Sequence, residues 1–157
     1  MPRHSYKRIQ PDLDPVYNSF EIAKLINYIM YDGKKTVAQE IVYKTMKHLQ
    51  ETEKDALGIL HKAIVNATPE KEVRARRLGG ASYLVPTEVR SSRRLHLALN
   101  WIVEGARSRS NKEFPTFDKK LTAEILEASK NQGFAISKKQ QTEKTAEQNK
   151  AFSHLKW

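Results

Sequence analysis

The chain has 157 residues, no cysteine, and 28 Lys plus Arg against 18 Asp plus Glu, a net charge of +10 with a pI near 9.8. That length suits one domain with a modest core, read here as a single unit over 1–157. No apolar run reaches the roughly 20 residues of a spanning helix, MPRHSYKRIQPDLDP lacks the apolar centre of a signal peptide, and the absence of cysteine removes disulfides and thiolate metal sites. An intracellular chain with an anionic partner is expected, the partner being nucleic acid, a membrane surface or an acidic protein.

Residues 1–18 hold Pro2, Pro11 and Pro15, show no helical period and carry Arg3, Lys7 and Arg8, which reads as an extended basic arm. Asn18 and Glu21 form a capping-box pattern ahead of the apolar face Ile22, Leu25, Ile26 and Ile29, so a first helix is expected over about 19–31, ended by Gly33. The basic link GKK follows, and Thr36 with Gln39 caps a second helix through Val42, Met46 and Leu49 to about Glu51. Asp55 caps a third, which Thr68-Pro69 stops because a residue before proline leaves the α region.

A β-hairpin over 72–90 comes next, with Val73 to Leu78 and Ser82 to Val89 as strands around Gly79-Gly80. Its register stays open. A two-residue turn puts Arg74 and Arg76 on the face of Tyr83 and Val85, and a three-residue loop puts them with Leu84 and Pro86. Pro86, without an N–H, fits an edge strand. Ser91 or Ser92 caps a long fourth helix bearing Trp101, which ends in the basic turn ARSRSNK; Thr116 begins a fifth, closed by Gly133. Ser137 with Gln140 starts a sixth, a polar C-terminal helix and tail over 137–157. The fold class is mainly α, a bundle of about six helices with one projecting β-hairpin between helices three and four.

Catalytic and metal motifs are absent. The five histidines lack an H-E-x-x-H or close-ligand pattern, no phosphate-cradling glycine motif occurs, and Asp12 and Asp14 are read as turn residues. Neither enzyme activity nor a cofactor or metal is expected. Asn66-Ala67-Thr68 matches a glycosylation sequon as a string alone.

Charge concentrates instead. Residues 69–94 hold seven Lys or Arg against three Glu, and so +4 of the +10. Arg74, Arg76 and Arg77 on the ribbon, with Arg90, Arg93 and Arg94 beyond it, give a density of planar forks suited to phosphate oxygens, partly relieved by cross-strand pairing of Glu72 and Glu88. Lys34, Lys35, Arg107, Arg109 and Lys112 lie at helix ends where they can join that surface. Basic residues on turns and a ribbon argue against membrane binding, which uses a basic amphipathic helix. RNA is favoured over DNA, since no helix-turn-helix signature is present.

The blocks KRIQPDLDPVYNS, MYDGKKTVAQEIVY, EVRARRLGGASYLVPTEV with RRLHLALNWIVEGAR, and AEQNKAFSHLKW resemble the small-subunit ribosomal protein seven family, in its bacterial or organellar form, over essentially the whole chain. The resemblance implies the six-helix fold with its hairpin. It implies a primary binder of small-subunit rRNA, in the 3′ major or head domain, that nucleates head assembly at the subunit interface near the decoding centre and tRNA exit site. By position it makes Arg3, Lys7, Arg8, Lys34, Lys35, Arg74, Arg76, Arg77, Arg93, Arg94, Arg107 and Arg109 rRNA-contact candidates. The hairpin tip at Gly79 and Gly80 with Tyr83, and Lys138 and Lys139 on the last helix, become proximal to exit-site tRNA and mRNA. Ribosomal proteins nine and eleven of the small subunit are the implied protein partners, in the cytoplasm or an organellar ribosome. A further, regulatory reading is that the same surface binds a messenger RNA, its own operon transcript being the candidate. Asn100, Lys71 and Thr145 depart from the family pattern, which has arginine, an apolar residue and methionine there.

Overall fold

A computed structural model describes residues 11–52 and 54–155. Arg3, Lys7 and Arg8 of the arm lie outside the described residues, as does Trp157. Six α-helices and one antiparallel ribbon follow in the order α1 (Phe20–Ile29), α2 (Lys35–Thr52), α3 (Ala56–Ala67), β1 (Lys71–Leu78), β2 (Ala81–Glu88), α4 (Ser91–Ser108), α5 (Phe117–Ser129) and α6 (Phe134–Gln148), ending in a 3-10 segment, Lys150–Leu155. The ribbon thus falls between α3 and α4, as the hydrophobic periods and the Gly-Gly signal predict.

One apolar cluster joins the helices. Ile22, Leu25 and Ile26 of α1, Val42, Met46 and Leu49 of α2, Leu60 of α3, Leu99 and Ile102 of α4, and Leu121 and Ile125 of α5 are all at most 1% exposed. Spacings of three and four align these residues into stripes, and burial of the stripes against one another supplies most of the helices' stability. Trp101 is buried in this cluster, as expected of a core anchor.

Helix ends depart from the sequence reading where tertiary contacts intervene. Asp55 does cap α3, accepting from the Gly58 N–H at 2.9 Å, and α3 stops at Ala67 before Thr68-Pro69. The Asn18–Glu21 box does not form. Asn18 lies in the left-handed region at φ +48°, because Asp14 Oδ2 already orders the preceding turn by accepting from the N–H groups of Val16 and Tyr17; Glu21 instead faces His61, with Oε1 2.9 Å from Nδ1. Thr36 falls inside the first turn of α2, which starts at Lys35. The left-handed residue after α5 is Asn131, while Gly133 precedes α6, which starts at Phe134, three residues before the expected Ser137 start. Asn66 of the sequon points inward, donating to the carbonyls of Ala128 and Ser129 at the C-terminus of α5.

Asp14 also anchors the end of the arm to the body: it is 3% exposed, and the Tyr43 hydroxyl of α2 donates to its Oδ1 at 2.8 Å. Burial, then the hydrogen bond to and charge of Asp14, push the Tyr43 phenol up to about 12. A raised phenol pKa contributes stability that is complete below about pH 10 and is lost as pH rises through 12. In an alkaline titration followed by tyrosinate absorbance, one phenol should ionise only near pH 12, and that last step should vanish in Tyr43→Phe.

Candidate nucleic-acid interface

The ribbon settles its own register through glycine. Gly79 and Gly80 both have positive φ, +54° and +89°, the type I′ combination of a two-residue hairpin turn. The pairing is therefore Arg74 with Val85, Arg76 with Tyr83 and Arg77 with Ser82. One face holds Glu72, Arg74, Arg76, Tyr83 and Val85; the other holds Ala75, Arg77, Ser82 and Leu84, all exposed. At the first face Val85 is 1% exposed, and Tyr83 packs against Phe152 of the 3-10 segment with ring centroids 5.3 Å apart. The polar last helix and the ribbon are therefore neighbours, with β1 lying against α6.

The ribbon's charge problem is solved differently from the expected cross-strand pairing. Glu88 stands opposite Lys71, and Glu72 opposite Thr87. Glu72, only 7% exposed, turns to arginines: Oε1 accepts from Nε and Nη2 of Arg74 at 3.0 and 2.8 Å, and Oε2 accepts from Nε of Arg93 on α4 at 3.0 Å. Burial pushes the Glu72 carboxyl up, but the hydrogen bonds and charges of Arg74 and Arg93 outweigh it and hold the pKa below the usual carboxylate range. A single carboxylate thus ties ribbon to helix. Both guanidinium groups keep N–H donors beyond those that Glu72 uses. Arg94 donates Nε to the Val89 carbonyl at 2.8 Å, which fixes the bend from β2 into α4. Arg76 is half-buried and also engaged, whereas Arg77 and Arg90 are exposed and carry no ion pair among the described residues.

The second basic group gathers at the other end of α4. Arg107 in its last turn and Lys34 and Lys35 at the α1–α2 turn are exposed, without an ion pair among the described residues. Arg107 and Tyr31 line one shallow hollow, so these two segments are adjacent. Residues 91 and 107 are 16 positions apart, about 24 Å of helical rise. The two groups are therefore separate patches held at the ends of one rigid helix.

Arg109 belongs to neither patch. Its side chain is 16% exposed and its fork is committed inward, Nη2 and Nε donating to Glu124 Oε2 at 2.6 and 3.1 Å and Nη1 and Nη2 to Glu127 at 3.0 and 2.5 Å. Burial disfavours the guanidinium charge, but its hydrogen bonds to Glu127 and Glu124 and their negative charges more than offset this and raise its pKa. Glu124, 1% exposed, gives its other oxygen to the Ala135 N–H at 3.1 Å and so caps α6. Lys120 closes the same knot, donating Nζ to the Arg109 carbonyl and to Asn111 Oδ1 at 2.5 and 2.6 Å.

Lys138 and Lys139 are drawn toward the body. Lys138 lies over the Phe134 ring at 5.2 Å and 3.8 Å from Glu104, and Lys139 donates to the Asn66 carbonyl at 2.9 Å. A cleft of about 490 Å³ separates the ribbon base from α6 and is lined by Lys71, Glu88, Lys139, Glu143, Glu147 and Lys150 among others, with no histidine. No cluster of metal-ligating side chains occurs among the described residues. Two roles escaped the sequence reading, Glu72 as the tie between ribbon and helix and Tyr31 at the rim of the hollow; for Tyr31 the available signal was a large aromatic beyond the apolar stripe of α1 and directly before Asp32-Gly33.

Residues 2–150 match the family model described as ribosomal protein S7p/S5e. Among curated proteins, the small ribosomal subunit protein uS7 of Thermosipho africanus is 48% identical over 156 residues, covering 99% of this chain and 97% of its own. That of Caldicellulosiruptor bescii is 51% identical over 145 residues, with 92% and 91% covered. That of Xylella fastidiosa is 46% identical over 144 residues, again with 92% and 91% covered.

Two outcomes separate the internal carboxylates from the surface. Arg109→Ala leaves Glu124 buried and unpaired and should cost roughly 3 to 5 kcal/mol in chemical denaturation, with Arg109→Lys failing to restore the fork. Glu72→Gln should cost about 1 to 2 kcal/mol, since both arginines are half in water. The depressed pKa of Glu72 contributes stability above the unfolded carboxylate pKa that is lost as pH falls through its folded value. The Glu72→Gln protein should therefore show a shallower loss of stability on acidification than the parent.

Proposed function

Because the chain belongs to the ribosomal protein S7p/S5e family, a structural and non-enzymatic family of the small ribosomal subunit, we propose that it is a primary rRNA-binding protein that nucleates folding of the subunit head. Its mechanism is charge neutralisation combined with shape capture. Two rigidly spaced cationic patches accept the phosphates of a folded RNA, and the ribbon follows the irregular surface between helices. The carrying observation is the sorting of the arginines. Arginines are spent on the buried carboxylates of Glu72 and Glu124, and Arg77, Arg90 and Arg107 remain in solvent around the ribbon and the ends of α4.

On this reading Arg74, Arg76, Arg93 and Arg94 are phosphate contacts whose forks the ribbon–helix junction holds in place, and Arg3, Lys7 and Arg8 extend the footprint from the arm. Lys34 and Lys35 serve the second patch. Arg109 supports the loop that follows α4 and takes no phosphate. The open Gly79-Gly80 tip, where an added Cβ would meet no atom within 4 Å, is the part free to approach exit-site tRNA and mRNA, with Tyr83, Lys138 and Lys139 behind it. Ribosomal proteins nine and eleven are its proposed neighbours.

Filter binding to a head-domain rRNA fragment over a salt series tests the contact residues. Replacing Arg77 and Arg90 by alanine should weaken binding and lower the log–log salt slope by about 1.8, or ~0.9 per lost phosphate contact, with thermal stability unchanged. An unaltered slope counts against these contacts. Chemical probing of the same fragment with this protein alone should show ordering of the junction; ordering that requires another ribosomal protein first would refute the primary role.

A further inference from the structure

Tyr31 is the most exposed large apolar side chain among the described residues, at 74%. A tight turn holds it there. Asp32 and Gly33 take φ of +50° and +73°, and the Lys34 N–H donates to the Tyr31 carbonyl at 3.0 Å, which makes Tyr31–Lys34 a type I′ turn. Such a turn fixes the backbone that carries the ring, and only the two torsions of the tyrosine side chain remain to be ordered on binding. Beside it lies a shallow hollow of about 420 Å³ lined by Ile29, Tyr31, Ile41, Phe117 and Arg107. Four of those five side chains are apolar or aromatic, and the fifth is a cation.

We propose that this hollow takes one unstacked nucleobase from a bulged or single-stranded RNA segment, with Tyr31 as the stacking platform and Arg107, Lys34 and Lys35 holding the flanking phosphates. The inference rests on the RNA-binding reading and adds to it a base site that charge alone does not provide. Its chemistry is that of single-strand recognition, where an aromatic face takes the base and neighbouring cations track the backbone. An apolar side chain of a protein partner would fit the same floor. Charge decides between them: Arg107 in the wall, and Lys34 and Lys35 three and four residues after Tyr31, are exposed without an ion pair among the described residues, against Asp32 as the acidic residue of the turn. One cation in the wall of an apolar hollow, with two more on the adjoining turn, favours a polyanion that carries flat apolar groups. The apolar floor offers little base-edge readout, so the site should tolerate any base and prefer the larger face of a purine.

The experiment uses the full chain and a head-domain rRNA fragment, with Tyr31→Ala, Tyr31→Phe and the Arg77/Arg90 double alanine variant measured side by side across a salt series. Base stacking predicts a loss of about ten- to a hundredfold for Tyr31→Ala. The salt slope should be unchanged, since no phosphate contact is removed, and thermal stability should match the parent because the ring is in solvent. Tyr31→Phe should bind as the parent does. Parent affinity in Tyr31→Ala, with weakened binding in the arginine variant, overturns the base site while leaving RNA binding intact. If neither variant differs from the parent, the RNA reading of these residues fails with it. An equal loss in Tyr31→Phe and Tyr31→Ala assigns the effect to the hydroxyl and overturns stacking. Normal RNA affinity together with poor retention of a neighbouring protein in reconstituted subunits makes the occupant a protein side chain, which also overturns the proposal.

Discussion

Buried carboxylates are the constraint on which this basic chain depends. Charge left in a low-dielectric interior must be paired and hydrogen-bonded, or the interior rejects it. Asp14, Glu72 and Glu124 are 3%, 7% and 1% exposed, and each takes hydrogen bonds at both oxygens. Each also joins segments that apolar packing alone leaves loosely related. Asp14 holds the turn after the arm against α2, Glu72 holds the ribbon to α4, and Glu124 holds the loop after α4 to both α5 and α6. The net charge of +10 is tolerable because these few acids are placed at junctions and the surplus cations are left in water.

What was legible in the sequence follows from this division. Hydrophobic period placed the helices, since stripes such as Ile22, Leu25 and Ile29 interact within one element and its nearest partner. The Gly79-Gly80 pair is likewise local, because positive φ at two adjacent residues selects its own turn. The register remained open until the structure chose the two-residue turn, since both alternatives satisfy alternation. Helix α6 was misplaced by three residues for a different reason. The N–H of Ala135 in its first turn meets Glu124, an acceptor eleven residues back on another helix, so no capping side chain beside Phe134 was needed. Asn18 and Glu21 miss their box because Asp14 already orders the turn before α1, and Tyr43 of α2 holds that same carboxylate in place.

The candidate site was legible as a density of arginine and illegible as an arrangement. Arg107 and Arg109 are two residues apart and identical in type, yet one is in solvent and the other is enclosed by two glutamates. Nothing in ARSRS distinguishes them. The difference arises because α4 ends at Ser108 and Arg109 turns back over α5, where Glu124 and Glu127 share a face at a spacing of three. Arg74 and Arg77 divide in the same way on the ribbon, by alternation: even positions share the face of Glu72, and Arg77 takes the opposite face. Composition therefore overstates the number of uncommitted forks and understates how firmly those near Glu72 are oriented.

Orientation bears on mechanism. A flexible basic segment must give up conformational freedom when it meets phosphate, and its affinity per contact falls accordingly. Here the cost has been met during folding. α4 is buried along Ala98, Leu99, Ile102 and Ala106, so the spacing between its two ends cannot adapt, and Glu72 and the Val89 carbonyl fix the forks at its start. At its other end the type I′ turn fixes the backbone that carries Tyr31. Between two partners of unequal stiffness the softer one adjusts. A protein whose cationic patches are anchored about 24 Å apart on one rigid helix backbone would leave the larger adjustment to its ligand, which is what the proposed role as a scaffold for RNA folding requires.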